Sequence, residues 1–280
     1  MTRHGLSYRF SEAIVRRPSK SVVRGLRTTD RGDPDFARFE SEHSDYIHAL
    51  QRVGLKVTVL PALEPFPDSV FIEDAALCLP GVVILLRPGA PSRTGEPAIL
   101  ARELRALGHE VICCDSSGFI DGGDILVTDS EVLVGLSGRT DRAGFDWLHS
   151  VLSRRGYVVQ AARTPAGVLH FKSECCLLDS STILATKRLS GAECFAGFEV
   201  LTVPGGEEAA ANSIRVNDTV LVPAGFPATA QLLSNAAYPV ERVPVTQAGL
   251  LDGGLSCMSL RLGNLDERRD AAREGSTSPG

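Results

Sequence analysis

The sequence predicts a mixed α/β fold of five repeated units, arranged as an α/β propeller with quasi-five-fold symmetry. Three observations lead there. One local pattern returns: "GLKVTVLP" at 54–61, "GHEVICCD" at 108–115, "GYVVQAAR" at 156–163, "GFEVLTVP" at 197–204 and "YPVERVPV" at 238–245. Most copies join a turn residue to a short strand rich in Val, Ile and Leu. A helical pattern precedes at least four copies, and a Gly-, Asp- or Asn-containing segment follows each, often with a further strand pair. Copies starting about 40 to 55 residues apart fall in the range of radial or stacked repeats. Helices cannot line an all-β stack, so the strands go inside and the helices outside. A conventional two-layer α/β fold also satisfies the alternation.

The elements follow in order. Over 36–53, Phe36, Phe39, His43, Tyr46, Ile47, Leu50 and Val53 share one helical face, and Gly54 ends the helix. Pro97 opens a second helix with Leu100, Leu104 and Leu107 on its face and Gly108 after it. Residues 141–155 repeat the theme with Phe145, Leu148, Val151 and Leu152, closed by Gly156. A weaker helix spans 228–237, and only a short one precedes Gly197. "DILVTDSEVLVG" at 124–135 reads as a strand pair turning at Asp129-Ser130. Residues 1–262 form one expected propeller domain. Residues 263–280, "GNLDERRDAAREGSTSPG", are charged and then Ser/Gly/Pro-rich, the composition of a disordered tail, with a short helix as the alternative.

Composition narrows the function. The chain has 280 residues, 43% hydrophobic and 22% charged, with a formal net charge of −5. No polybasic run favours nucleic acid. The longest apolar run, near "GVVILLRPG", is far short of the ~20 residues of a spanning helix. The N-terminus lacks a signal-peptide core, so a cytoplasmic protein is expected, with a small-molecule substrate or a protein partner. Seven cysteines, an odd count with two adjacent pairs, fit neither a disulfide framework nor structural zinc. Reduced, mostly buried thiols are expected.

Equivalent loops of a radial array converge at one end of the axis. Five polar loops would meet: "FPDSVFIED" with Asp68, Glu73 and Asp74, "DGGD" with Asp121, "LHFKS" with His170, "AANS", and "LDGGLSCMSL" with Cys257. Each group has two readings. Cys257 is core filler or a nucleophile, and the preceding Asp252-Gly253-Gly254 would let a ligand approach the backbone. His170, between Leu169 and Phe171, is a core residue or a general acid/base. One cysteine with one distant histidine and an orienting acid is the pattern of covalent thiol catalysis. The acidic trio is a solvated turn or a cradle for a cation, best a guanidinium that meets carboxylates through its fork of N–H donors. Magnesium is a weaker fit, since no phosphate-binding glycine loop accompanies the acids. Arg87, in "LLRPGAPSR", and Arg139, in "GLSGRTDR", are surface residues or holders of a substrate carboxylate.

"FPDSVFIED", "LLRPGAPSR", "DGGD", "GLSGRT", "LHFKS", "AANS" and "DGGLSCMSL", in order over residues 10 to 262, together resemble the dimethylarginine dimethylaminohydrolases. That family belongs to the guanidino-group modifying superfamily, with the five-bladed α/β propeller called the pentein fold. The resemblance implies Cys257 as nucleophile, His170 as general acid and then base, and Asp121 as the acid supporting the imidazole. It implies Asp68 and Asp74 as guanidinium ligands, with Glu73 nearby and Phe71 packed on the substrate. Arg87 and Arg139 would take the α-carboxylate, the Asp252 carbonyl the α-ammonium, and Leu26 would sit in a mobile lid. It implies no cofactor or metal, a methylated arginine as substrate, and a possible homodimer.

Relatives in the superfamily bear on the substrate. Many arginine and agmatine deiminases and amidinotransferases carry a second acid two residues after the histidine, where this chain has Lys172. Arginine deiminases also carry a helical insertion for which this chain has no room. A non-catalytic propeller would lack the Cys/His/acid set, and a peptide-cleaving thiol enzyme would have no use for carboxylates suited to a cation.

Overall fold

The protein, described here over residues 7–263 of a computed structural model, is a ring of five three-stranded sheets. The tail expected at 263–280 lies, apart from Gly263, outside the described residues. Strand β1 (Glu12–Arg16) leads through helix α1 (Phe36–Arg52) to β2 (Lys56–Leu60). The first blade is β3 (Ala76–Leu79), β4 (Val82–Leu85), helix α2 (Glu96–Ala106) and β5 (Val111–Ile112). The second is β6 (Ile125–Val127), β7 (Glu131–Leu136), α3 (Arg142–Ser153) and β8 (Val158–Arg163). The third is β9 (Cys175–Leu177), β10 (Thr182–Ala185) and β11 (Glu199–Thr202), with only a short 3-10 turn at Glu193–Phe195 in the helix position. The fourth is β12 (Ile214–Val216), β13 (Thr219–Pro223), α4 (Pro227–Asn235) and β14 (Val240–Val243). A short α5 (Thr246–Gly249), which no periodicity announced, precedes β15 (Ser259–Leu262).

Each blade repeats one wiring. An inner strand pairs antiparallel with the central strand, a helix crosses over, and the outer strand returns parallel. The fifth blade closes the ring with both ends of the chain: β15 pairs antiparallel with β1, and β1 pairs parallel with β2. The five repeated sequence segments are the outer strands β2, β5, β8, β11 and β14.

The helices follow their sequence signals closely. Asp35 caps α1 by accepting from the Arg38 N–H, and Gly54, at φ +96°, supplies the left-handed turn that ends it. Asp141 caps α3 in the same way through Gly144. Helix α2 begins one residue before Pro97, and its expected face residue Leu107 is 44% exposed because the helix has ended at Ala106. Hydrophobic clusters fill the seams between blades; one joins Ile84 and Leu86 to Ile125, Val134 and Leu148. All seven cysteines are free thiols; Cys113 is exposed, so burial of the set is incomplete.

What positions the site is a 3-10 turn before each inner strand: Ile72–Ala75, Gly122–Asp124, Phe171–Ser173, Glu208–Ala211 and Ser256–Met258. Together they floor one end of the axis. Below them an axial cavity of about 130 Å³ runs between the inner strands, touching Leu77, Leu126, Cys176, Ile214 and Leu260. Tyr46 of α1 fixes the last turn from behind. It is 0% exposed, donates to the Leu255 carbonyl at 2.8 Å, and lies 2.7 Å from Ser259 Oγ. Tyr46→Phe strands the carbonyl in a dry site, so a loss of about 1–3 kcal/mol is expected. At roughly 2–4 °C per kcal/mol, calorimetry should read a clear fall in Tm with the fold retained.

Candidate active site

Above the floor lies a second cavity, of about 100 Å³, lined by Asp74 of the first turn, Cys257 of the last and His170 directly before the third. Cys257 reaches it from the Ser256–Met258 turn. Burial and the nearby Asp74 and Glu73 carboxylates push its thiol up to about 11, against the opposing pull of the Gly254 N–H and Lys172.

His170 lies directly before the Phe171–Ser173 turn. Its Nε2 is 2.9 Å from Asp121 Oδ2, and its Nδ1 is 3.9 Å from Asp74 Oδ1. Burial alone would lower its pKa. The carboxylates of Asp74, Asp121 and Asp124 outweigh that and raise it to about 9, so the ring is an imidazolium at neutral pH. Asp121 is 0% exposed and accepts from the Gly89 N–H at 2.7 Å through its other oxygen. Gly123 beside it has no space for a side chain: a Cβ would sit 2.6 Å from the His170 ring and 2.9 Å from Asp74 Oδ1. The second acid of "DGGD", Asp124, braces the arrangement, accepting from the Phe171 N–H and from the hydroxyls of Ser137 and Thr140.

The acids from the first blade's loop separate. Asp74 accepts from Arg93 Nη1 and from the Gly123 N–H. Burial opposes its charge, but His170 and Arg93 hold its carboxyl below the usual carboxylate range. Asp68 is buried, has no ion pair among the described residues, and accepts only from the Leu26 N–H at 2.8 Å; burial pushes its carboxyl up. Glu73 differs from expectation: it faces the axial cavity, and its Oε1 is held by Lys172 Nζ at 2.7 Å and Arg261 Nη2 at 2.6 Å.

Phe71 forms one wall, its ring so close to Gly253 that a Cβ there would lie 2.3 Å away. Leu26 stands at the mouth in a segment tied across it. Asp252, with φ +57°, accepts from the Thr28 N–H and hydroxyl and from Arg31. Its side chain therefore grips the covering segment.

The arginines require a correction. Arg139 lines the cavity, 3.8 Å from Asp121 Oδ2, with its side chain 21% exposed. Arg87 does not line it. Arg87 is on the surface, donating to the Ser116 carbonyl and stacked on Phe119. Six residues on, in the same quoted motif, Arg93 is buried on the cavity wall and bonded to Asp74, Glu96 and the Phe71 carbonyl. Glu96, three residues after Arg93 at the start of α2, was the sequence signal for a buried pair. Sequence reading also passed over Asn212, whose Nδ2 lies 3.8 Å from Cys257 Sγ.

Asp74, Asp121 and His170 offer three ligand atoms within 4.8 Å of one another. A cation could enter there only by displacing the Asp121–His170 and Asp74–Arg93 contacts. Among the described residues no helix is long and apolar enough to cross a membrane.

Comparison with known proteins shows the family. The family model described as N,N dimethylarginine dimethylhydrolase, eukaryotic, matches residues 34–172. The N(G),N(G)-dimethylarginine dimethylaminohydrolase of Pseudomonas aeruginosa is 36% identical over 253 residues, covering 90% of this chain and 99% of the relative. That of Streptomyces coelicolor is 32% identical over 257 residues, covering 91% and 98%. A solved structure of a cysteine-to-serine mutant of the Pseudomonas aeruginosa protein, complexed with citrulline, matches with a TM-score of 0.87 at 35% identity. That match covers 91% of this chain and 100% of the other. With the ring of five blades, the converging turns and identity along nearly all of a relative, the chain belongs to the dimethylarginine dimethylaminohydrolase family, of the five-bladed pentein fold.

Proposed function

We propose that this protein hydrolyses Nω-mono- or dimethyl-L-arginine to L-citrulline and methylamine or dimethylamine through a covalent intermediate on Cys257. The observation that carries the reading is a buried thiol sharing one small cavity with a carboxylate-supported imidazolium and a carboxylate, Asp68, that has no ion pair among the described residues. A guanidinium supplies the positive charge Asp68 lacks, and its planar N–H fork suits Asp68 and Asp74 together. Held there, the guanidino carbon is brought to the sulfur, which converts an encounter into an intramolecular step.

The proton inventory follows from the two shifted groups. With its pKa at about 11, Cys257 rests as a thiol at neutral pH, and the charged His170 cannot accept its proton. The arriving cation favours the thiolate, whose proton passes to solvent. Sulfur attacks the guanidino carbon. His170 Nε2 is held by Asp121, so Nδ1 is the nitrogen placed to give its proton to the departing amine. The carbon keeps its bond to sulfur as an S-alkylthiouronium. Neutral His170 then takes a proton from water as the oxygen adds. The C–S bond breaks, its electron pair returns to sulfur, and citrulline leaves.

The other ends of the substrate find partners at the rim. Arg139 takes the α-carboxylate, with Arg93 in the wall where the sequence had suggested Arg87, and the backbone carbonyl of Asp252 accepts from the α-ammonium. Lys172 supports the preference for a methylated arginine. The position where deiminases carry a second acid holds a cation tied to Glu73 on the axial side of the floor.

A citrulline assay on arginine, agmatine, monomethylarginine and dimethylarginine tests the reading. Citrulline should form fastest from the methylated arginines, and Cys257→Ser should still bind them while losing nearly all turnover. Absence of citrulline from both methylated substrates sinks the proposal. Michaelis kinetics separate the arginines: Arg139→Ala should raise KM on the order of 10- to 100-fold, the range of charge-assisted hydrogen bonds. Arg87→Ala should leave KM within about twofold, as expected of a surface side chain.

A further inference from the structure

Four of the five floor turns carry or adjoin a group used in the reaction proposed above: Asp74 in the first, Asp121 and His170 directly before the second and third, and Cys257 in the last. The fourth turn, Glu208–Ala211, has had no part in it. The residue directly after that turn is Asn212. We infer that Asn212 is a catalytic residue whose side-chain amide donates to the Cys257 sulfur whenever that sulfur carries negative charge. The inference rests on Cys257 being the nucleophile.

The amide is held in one orientation. Asn212 Nδ2 lies 3.8 Å from Cys257 Sγ, while Asn212 Oδ1 accepts from the Ser256 N–H at 3.0 Å. The reverse flip would set an NH₂ group against an N–H and an oxygen against the sulfur, so both contacts would be lost. The fit is also close on the other side. A Cβ on Gly254 would lie 2.5 to 2.9 Å from the carboxamide carbon, oxygen and nitrogen of Asn212. Glycine at 254 thus leaves room for the amide, and the amide is buried against the loop that carries the nucleophile. A separation of 3.8 Å is at the outer reach of an N–H···S contact. Catalytic hydrogen bonds of this kind shorten as the site closes and as the acceptor becomes an anion.

The charges around the sulfur explain why a neutral donor matters. The Asp74 and Glu73 carboxylates of the first blade, Lys172 of the third and the Tyr46 hydroxyl of α1 act on it electrostatically, and His170 shares its cavity. Both carboxylates disfavour the thiolate. An N–H from Asn212 opposes them without adding a charge that would repel a guanidinium. Sulfur is anionic twice in the cycle, before it attacks and again as the C–S bond breaks with the electron pair moving onto it. One donor aimed at the sulfur serves both moments.

The test uses the full-length protein with Asn212→Leu, which removes donor and acceptor at similar size, and Asn212→Asp, which keeps an acceptor for the Ser256 N–H but removes the donor. The pH dependence of iodoacetamide labelling is followed at the Cys257 peptide by mass spectrometry, beside kcat and KM. Both variants should label with a midpoint about one pH unit or more above the parent, Asp further than Leu. Their kcat should fall about 10- to 100-fold with KM little changed. Labelling curves that superimpose on the parent's, or an undiminished kcat in a folded variant, overturn the inference. The Asp variant retains the loop contact, so it decides the matter if the Leu variant does not fold. Labelling reads the thiol without turnover, so failure here is distinct from failure of Cys257 as nucleophile, which appears as activity in Cys257→Ser.

Discussion

Five carboxylates, Asp68, Glu73, Asp74, Asp121 and Asp124, lie buried at one end of the propeller axis, and the placement of their countercharges governs the site. A buried carboxylate is stable only when paired or well hydrogen-bonded. Asp74 has Arg93, Glu73 has Lys172 and Arg261, and Asp121 has His170. Asp124 is satisfied by two hydroxyls and a backbone N–H. Asp68 has one N–H, from Leu26. Asp68 is the least satisfied of the five among the described residues, and the cavity beside it opens toward the Cys257 thiol. In the proposed function a small cation would complete the pairing of Asp68 within reach of the Cys257 thiol.

Five-fold repetition makes that density of charge possible. Three of the 3-10 turns carry or adjoin groups on both sides of the floor they help to build. Asp74 lines the candidate active-site cavity, while its neighbour Glu73 lines the axial one. His170 and Lys172 divide in the same way, as do Cys257 and Ser256. Two cavities are thus served by one set of loops, and the ion triad of Glu73, Lys172 and Arg261 lies under the thiol. The covering segment is coupled to the same floor, since Asp68 holds Leu26 and Asp252 holds Thr28 and Arg31.

Much of this was legible in the sequence because the signals were local and repeated. The Val-rich outer strands recur with their turns, and Asp35 with Gly54 bounds α1 as its periodicity indicates. The convergence of the polar loops follows from a ring once five units are counted. Arg87 and Arg93 show where local reading ends. Both lie in one Gly- and Pro-bordered motif, and only the 3-10 turn at Pro91–Arg93 directs the second inward to Asp74. Glu73 and Asp74 are adjacent and chemically alike, yet the turn geometry sends them to opposite sides of the floor. Asn212 lies in the quoted "AANS" loop, but nothing local singled it out, because its partners, Ser256 and Cys257, are more than 40 residues away in the chain.

In the proposed function the guanidino carbon becomes bonded to Cys257. Mixing the protein with dimethylarginine, quenching in acid within the turnover time and analysing the peptides by mass spectrometry tests this step most directly. The expected result is a mass increase equal to the substrate less dimethylamine, confined to the peptide containing Cys257. Citrulline formation with no adduct at any quench time, or an adduct on another residue, would contradict it.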